Sequence, residues 1–374
     1  MRRSTTLLAG CCLMLFLCLR GYSQTGCVTA TNGTVLTMPC GAACTTLTVK
    51  VPNLKSTSDY SVSTRSYSPY PYVTTSGTEL TALYIDDRFS QLINLPFSFC
   101  FYDSIFTKLV VGSNGVVTFD PALANTGNAW PLTVTVLPQP QAQPQPIPYA
   151  GGTAGQTSPA YYPRASIMGA YHDIDPGIGT SRRIEYSIVG ASPCRKFVVS
   201  FFDVSMFSCT SMKCTQQIVL HETTGIVEVF LGNKPICASW NGGLAILGMQ
   251  NWARNKAVAA PGKNCTQWSA QNEGYQFIPS GNVSRFVQAQ LFTLAGTLVA
   301  TSGPSDTATT TAGFLDVTFS SPVCPPSFPA KYLVKTQYQS CVPGQPNLIT
   351  TDTVTISQSS NITLSATTAA SCAG

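Results

Sequence analysis

The sequence predicts an all-β protein, a disulfide-linked antiparallel β-sandwich followed by a smaller β-sandwich. Three observations carry that expectation. Apolar runs of strand length follow one another through the middle of the chain, at residues 196–204, 216–222 and 226–231. Their Val, Ile and Phe suit a pleated, half-buried surface, and short Gly, Pro, Asn and Ser clusters separate them. No stretch of this region keeps a helical period for three turns. Cysteine is abundant, 15 in 374 residues, at spacings that favour disulfides over metal thiolates.

The first residues, MRRSTTLLAGCCLMLFLCLRGYSQ, place Arg2 and Arg3 before an apolar run and small residues before Gln24. Residues 1–23 therefore read as a secretory signal peptide. Leu8-Ala9-Gly10-Cys11 also fits a lipoprotein cleavage box, but the apolar run continues well past Cys11. A membrane span needs about twenty apolar residues, and no other segment approaches that length. The expected location is secreted or on the extracellular cell surface. Cys11, Cys12 and Cys18 leave with the signal, and an even number of the 15 cysteines remains. Cys40/Cys44 and Cys209/Cys214 are not CxxC pairs, and His172 and His221 are the only histidines, which argues against structural zinc. Charged residues make up 10% and the net charge is +5. Arg182-Arg183 and Arg195-Lys196 are isolated pairs, so no nucleic-acid surface is expected.

In chain order, residues 24–59 read as a cysteine-containing lead-in holding Cys27, Cys40 and Cys44 and a strand at 45–51. Residues 60–78 are rich in Tyr, Ser and Pro and read as extended. Their tyrosines either pack the segment onto a sheet or stack on sugars. Runs at 109–111 and 116–119 flank Gly112-Ser113-Asn114-Gly115, where Asn-Gly supplies the positive φ of a tight hairpin. Residues 95–102 form the strand before it. A Pro-rich surface loop, 121–163, contains PQPQAQPQPIP, a polyproline II composition.

The motifs LPFSFCFYD, VVGSNGVVTFD, IMGAYHDID and CRKFVVSFFDV occur in one order. With them come Asp86-Asp87, Met206-Phe207-Ser208-Cys209, Trp240-Asn241-Gly242-Gly243, Gln250-Asn251 and Gln276-Phe277-Ile278-Pro279. Over residues 60–281 this resembles a nidogen-like (NIDO-type) extracellular domain. More closely, it is similar to the N-terminal domain of Bacteroidota surface proteins associated with gliding motility or type IX secretion. The resemblance implies secretion and a surface role, and names no ligand.

Residues 282–374 turn Thr- and Ser-rich, with strands expected at 286–294, 314–319, 331–337 and 353–357. This spacing reads as an immunoglobulin-like module. Cys324, Cys341 and Cys372 are an odd number within it, as are Cys27, Cys40 and Cys44 in the lead-in. Either the chain continues beyond Gly374 in the intact protein, or a long-range bridge joins the two groups. Sequons at Asn32, Asn264, Asn282 and Asn361 are read as coincidental.

Candidate chemistry is sparse. Asp173 and Asp175, beside His172, offer alternate carboxylates that either contribute to a calcium site or accept backbone N–H groups in the turn before Pro176-Gly177. The turn is the favoured reading, and no cofactor is expected. Trp240, next to glycines, either stacks on a glycan or covers a sheet edge. No GxSxG motif or recognisable acid–base pair is present, so no enzyme is expected. A turn centred between Thr223 and Thr224 places Cys209 near register with Cys237, so these two are expected to bond within Cα reach. Cys214 is then left for Cys194 or Cys265. The function read from the sequence is a non-catalytic surface adhesion or structural protein, whose partner is an extracellular glycan or protein surface. A carbohydrate-binding module of a glycan-utilisation system comes second and a glycoside hydrolase third.

Overall fold

A computed structural model describes residues 35–128, 146–149, 162–310 and 313–359. The signal peptide, Cys27, Cys372, Asn32, Asn361 and most of the Pro-rich loop lie outside the described residues. The protein is all-β. Among the described residues helix is limited to four short 3-10 turns, and no helix is long and apolar enough to cross a membrane.

The larger sandwich has two sheets. One runs in the order Tyr60–Arg65, Ala270–Pro279, Val227–Lys234, Lys213–His221, Lys196–Met206, Arg183–Val189 and Thr78–Glu79, with Ile174–Asp175 also pairing Lys196–Met206. The other runs Ala257–Gln267, Leu244–Gln250, Ser166–Tyr171, Val116–Thr118, Ser104–Gly112 and Ile93–Phe101. Their facing side chains make the main core, with Phe197, Val199, Ile218, Leu220 and Phe277 against Leu109, Val111, Ile167, Leu247 and Met249.

Both sheets are also covered on their outer faces, which explains central strands that read as unbroken apolar runs. Tyr67 and Tyr70 pack with Val198, Val219 and Phe230. Tyr70 also exchanges two hydrogen bonds with the Gln217 amide, at 2.9 and 3.2 Å. The tyrosine-rich segment is thus a strap lying on the sheet. On the opposite face Ile147 and Tyr162 cover Val110, Val116, Met168 and Ile246.

The smaller sandwich differs from the expected division of the chain. Within the expected lead-in, the described residues from 35 onward belong to this sandwich. Val35–Met38 pairs in parallel with Leu348–Gln358, and Thr45–Pro52 pairs with Phe314–Val323. Leu47, Val49 and Val51 point inward by strand alternation and fill the core formed by Leu291, Val317, Phe319, Val334 and Ile356. The C-terminal strands could not bury that face alone.

Disulfides follow this arrangement. Cys209 bonds Cys237, the pair expected from the hairpin, whose register runs from Leu220–Val227 to Gln216–Leu231. Cys44 bonds Cys324, and Cys100 bonds Cys341. Cys44–Cys324 is a long-range bridge joining the two odd groups, Cys40 is a free thiol, and Cys27 and Cys372 lie outside the described residues. Cys194 is disulfide-bonded as well. Cys214 is not paired with Cys194 or Cys265, contrary to expectation. Both Cys214 and Cys265 are free thiols, and Cys214 faces the core from its strand with no exposure.

Candidate functional site

The polar motif residues meet at one end of the larger sandwich, around the buried side chain of Asn114. The loop between Ser104–Gly112 and Val116–Thr118 pairs Gly112 with Val116, leaving three residues in the turn. Only Gly115 among them takes positive φ, at 83°, so Asn114 is freed from the turn role expected for it. A Cβ at Gly115 would lie 2.6 Å from the Ala170 carbonyl, hence glycine. Asn114 donates to Asp87 Oδ1 at 2.9 Å and to the Asn128 carbonyl at 2.8 Å. Its Oδ1 accepts from Ile174 N at 3.0 Å. One buried amide thus pins three chain segments.

This brings Asp173 beside Asp86 and Asp87, with one oxygen of each within 4.8 Å of the other two. Asp86 Oδ1 is buried and has no hydrogen-bond partner among the described residues. Burial and the neighbouring carboxylates push Asp173 up to about 7 and Asp86 up to about 6. Asp87 is raised by burial too, although the Asn114 amide holds it back. Three crowded carboxylates can share a hard cation or a proton. Asp175 is not in that group. Its Oδ1 accepts from Gly177 N at 2.7 Å, in the turn before Pro176-Gly177. The trio is therefore Asp86, Asp87 and Asp173, where the sequence pointed to Asp173 with Asp175. Asp86 and Asp87 stood among the motif residues, but nothing local linked them to Asp173.

Trp240 lies against this cluster. Its indole Nε1 donates to Asp173 Oδ2 at 2.6 Å, and its ring packs 4.7 Å from that of Phe207. It remains 36% exposed. The cavity it lines with His172, Asp173, Met206 and Cys237 measures about 10 Å³, room for one water and not for a sugar ring.

Beneath it His172 Nε2 lies 3.4 Å from Cys214 Sγ, a geometry that resembles a nucleophile and its base. The electrostatics run the other way. Burial pushes the Cys214 thiol up to about 12, against the pull of the Lys234 charge, and burial together with that charge holds the His172 imidazole well below its ordinary value. An activated cysteine needs a lowered pKa and access, and this one has neither. His221, on the outer face, sits 3.0 Å from Glu228; Glu228 also pairs with Arg65.

Residues 59–281 match a family model described as NIDO related. The chain belongs to the NIDO-related family. The matched span coincides with the larger sandwich and carries the whole Asn114 cluster. No curated protein and no solved structure matches the chain. In this NIDO-related domain the motif residues Asp86, Asp87, Asn114 and Asp173 are structural neighbours, although they come from three separate segments.

Proposed function

We propose that the protein is a non-catalytic adhesion or structural module, secreted to the cell surface of a Bacteroidota-type bacterium. It would act in the manner of the gliding-motility-associated and type IX secretion proteins it resembles. The observation that carries this reading is the cross-linking of a NIDO-related sandwich to a second sandwich through Cys100–Cys341, with Cys44–Cys324 and Cys209–Cys237 fastening each module. Such bridges persist in oxidising, extracellular surroundings. Two further features support a binding or structural role over catalysis. The Cys214–His172 pair is buried and tuned away from nucleophilic chemistry. Of the three clustered carboxylates, only Asp173 borders a cavity, and that cavity has room for about one water.

Beads coated with the purified mature protein test this. They are expected to attach saturably to a cell or matrix surface, and soluble protein should compete. Release of hydrolysed product from the same surface would overturn the non-catalytic part. Absence of attachment to any surface would overturn the adhesive part.

A further inference from the structure

Where the two sandwiches meet, a groove of about 550 Å³ opens between them, a volume typical of small-ligand sites. The larger sandwich contributes Phe97, Ser98, Arg195, Glu222 and Thr223. The smaller contributes Ser340, Val342, Gln345, Asn347 and Ile349, and Arg285 lies at the junction. A second hollow of about 220 Å³ lies on the other side of Arg285 and the Cys100–Cys341 bridge.

Arg285 is the unusual member. It is only 5% exposed, yet no carboxylate pairs with it among the described residues. Its Nε donates to the Gln339 carbonyl at 2.8 Å, and its Nη1 donates to the Thr223 carbonyl at 3.0 Å. Its Nη2 is buried without a partner. The acid nearest in role, Glu222, is engaged by Arg195 through Nε at 2.9 Å and through Nη2. Asp103 lines the second hollow and makes no ion pair with Arg285. A buried charge normally has a counter-ion or a complete set of hydrogen bonds. Burial accordingly pulls the Arg285 guanidinium below its ordinary pKa.

We propose that this groove binds an anionic oligosaccharide, its acid group held by Arg285 and its hydroxyls by the side chains of the groove walls. The walls fit a sugar. Ser98, Thr223, Ser340, Gln345 and Asn347 offer hydroxyl and amide groups, while the exposed Pro346 offers a flat apolar face. This inference rests on the adhesive reading and names the class of ligand it would take.

Calorimetric titration of the mature protein tests it, with trigalacturonate, a sulfated trisaccharide, neutral galactotriose and a Glu-rich peptide as probes. An anionic trisaccharide is expected to bind, and the carboxylate and sulfate probes identify which acid group is preferred. The neutral sugar should bind at least tenfold more weakly. Arg285→Gln should lose at least tenfold in affinity for the anionic probe. Asn347→Trp, at an exposed position that tolerates bulk, should block the groove and do the same even if Arg285→Gln fails to fold. Unchanged affinity in Asn347→Trp, tighter binding of the peptide, or binding of neither anionic sugar overturns the proposal. Bead attachment separates the two readings. Wild-type attachment equalled by Asn347→Trp would sink the groove and leave adhesion standing. Failure of wild type to attach would sink adhesion itself.

Discussion

Asn114 shows how one residue can organise a site that its local sequence assigns to a turn. Its amide makes three hydrogen bonds at full burial. Asn114→Ala leaves the Ile174 N–H and the Asn128 carbonyl unpaired, each at about 1–3 kcal/mol. Urea unfolding is expected to show a loss of about 3 kcal/mol. The carboxylates it gathers make a pH prediction. Asp173 and Asp86 are raised to about 7 and about 6 in the folded protein, above the usual carboxylate value of about 4. A group raised on folding stabilises the fold while protonated, and that contribution is lost as pH rises through the folded value. The buried histidines act in the opposite sense, because their folded values are lowered. The difference between Asp86→Asn and wild type isolates the carboxylates. Asp86→Asn is expected to be the more stable protein at pH 8, with the gap closing by pH 4.5. Millimolar calcium at pH 8 should narrow the same gap by neutralising the wild-type trio, and a melting temperature unmoved by calcium would mean that the trio holds no cation.

At the scale of elements, local register was legible and distant pairing was not. The hairpin of Lys213–His221 and Val227–Lys234 centres where the sequence placed it, so Cys209–Cys237 followed from counting residues outward. Elimination assigned Cys214 to Cys194 or Cys265, but it is a free thiol that its strand turns into the core. Cys44–Cys324 and Cys100–Cys341 span 280 and 241 residues, and no local pattern encodes such separations. The strand at 45–51 was visible, but its partner was not, since a strand's own residues do not say which edge it joins. In the candidate site the individual polar residues stood out as motifs, while the contact of Asp173 with Asp86 and Asp87 depends on a fold-back through Asn114. Replacing Cys209 and Cys237 by Ser opens a loop of 28 residues. It should cost about 3–4 kcal/mol on the chain-entropy estimate, read as a fall in the urea midpoint with the strands retained by circular dichroism.

For the whole molecule, the account makes the two sandwiches one cross-linked unit. Cys100–Cys341 joins them covalently, and Arg285 ties the Thr223 turn of one to the Gln339 carbonyl of the other. Interfaces between domains of one chain are ordinarily mobile unless large or fastened. Cys100→Ser with Cys341→Ser is therefore expected to leave both sandwiches folded and to increase the radius of gyration in solution scattering. An unchanged scattering profile would show that the non-covalent contacts suffice. Peptide mapping of the protein under non-reducing conditions, after blocking free thiols, tests the central claim of a disulfide-fastened two-sandwich molecule. The account predicts linked peptides for Cys44–Cys324, Cys100–Cys341 and Cys209–Cys237, with Cys214 unlinked. Recovery of Cys100 and Cys341 as blocked free thiols, or of Cys44 bonded to a neighbour in the first sixty residues, would contradict it.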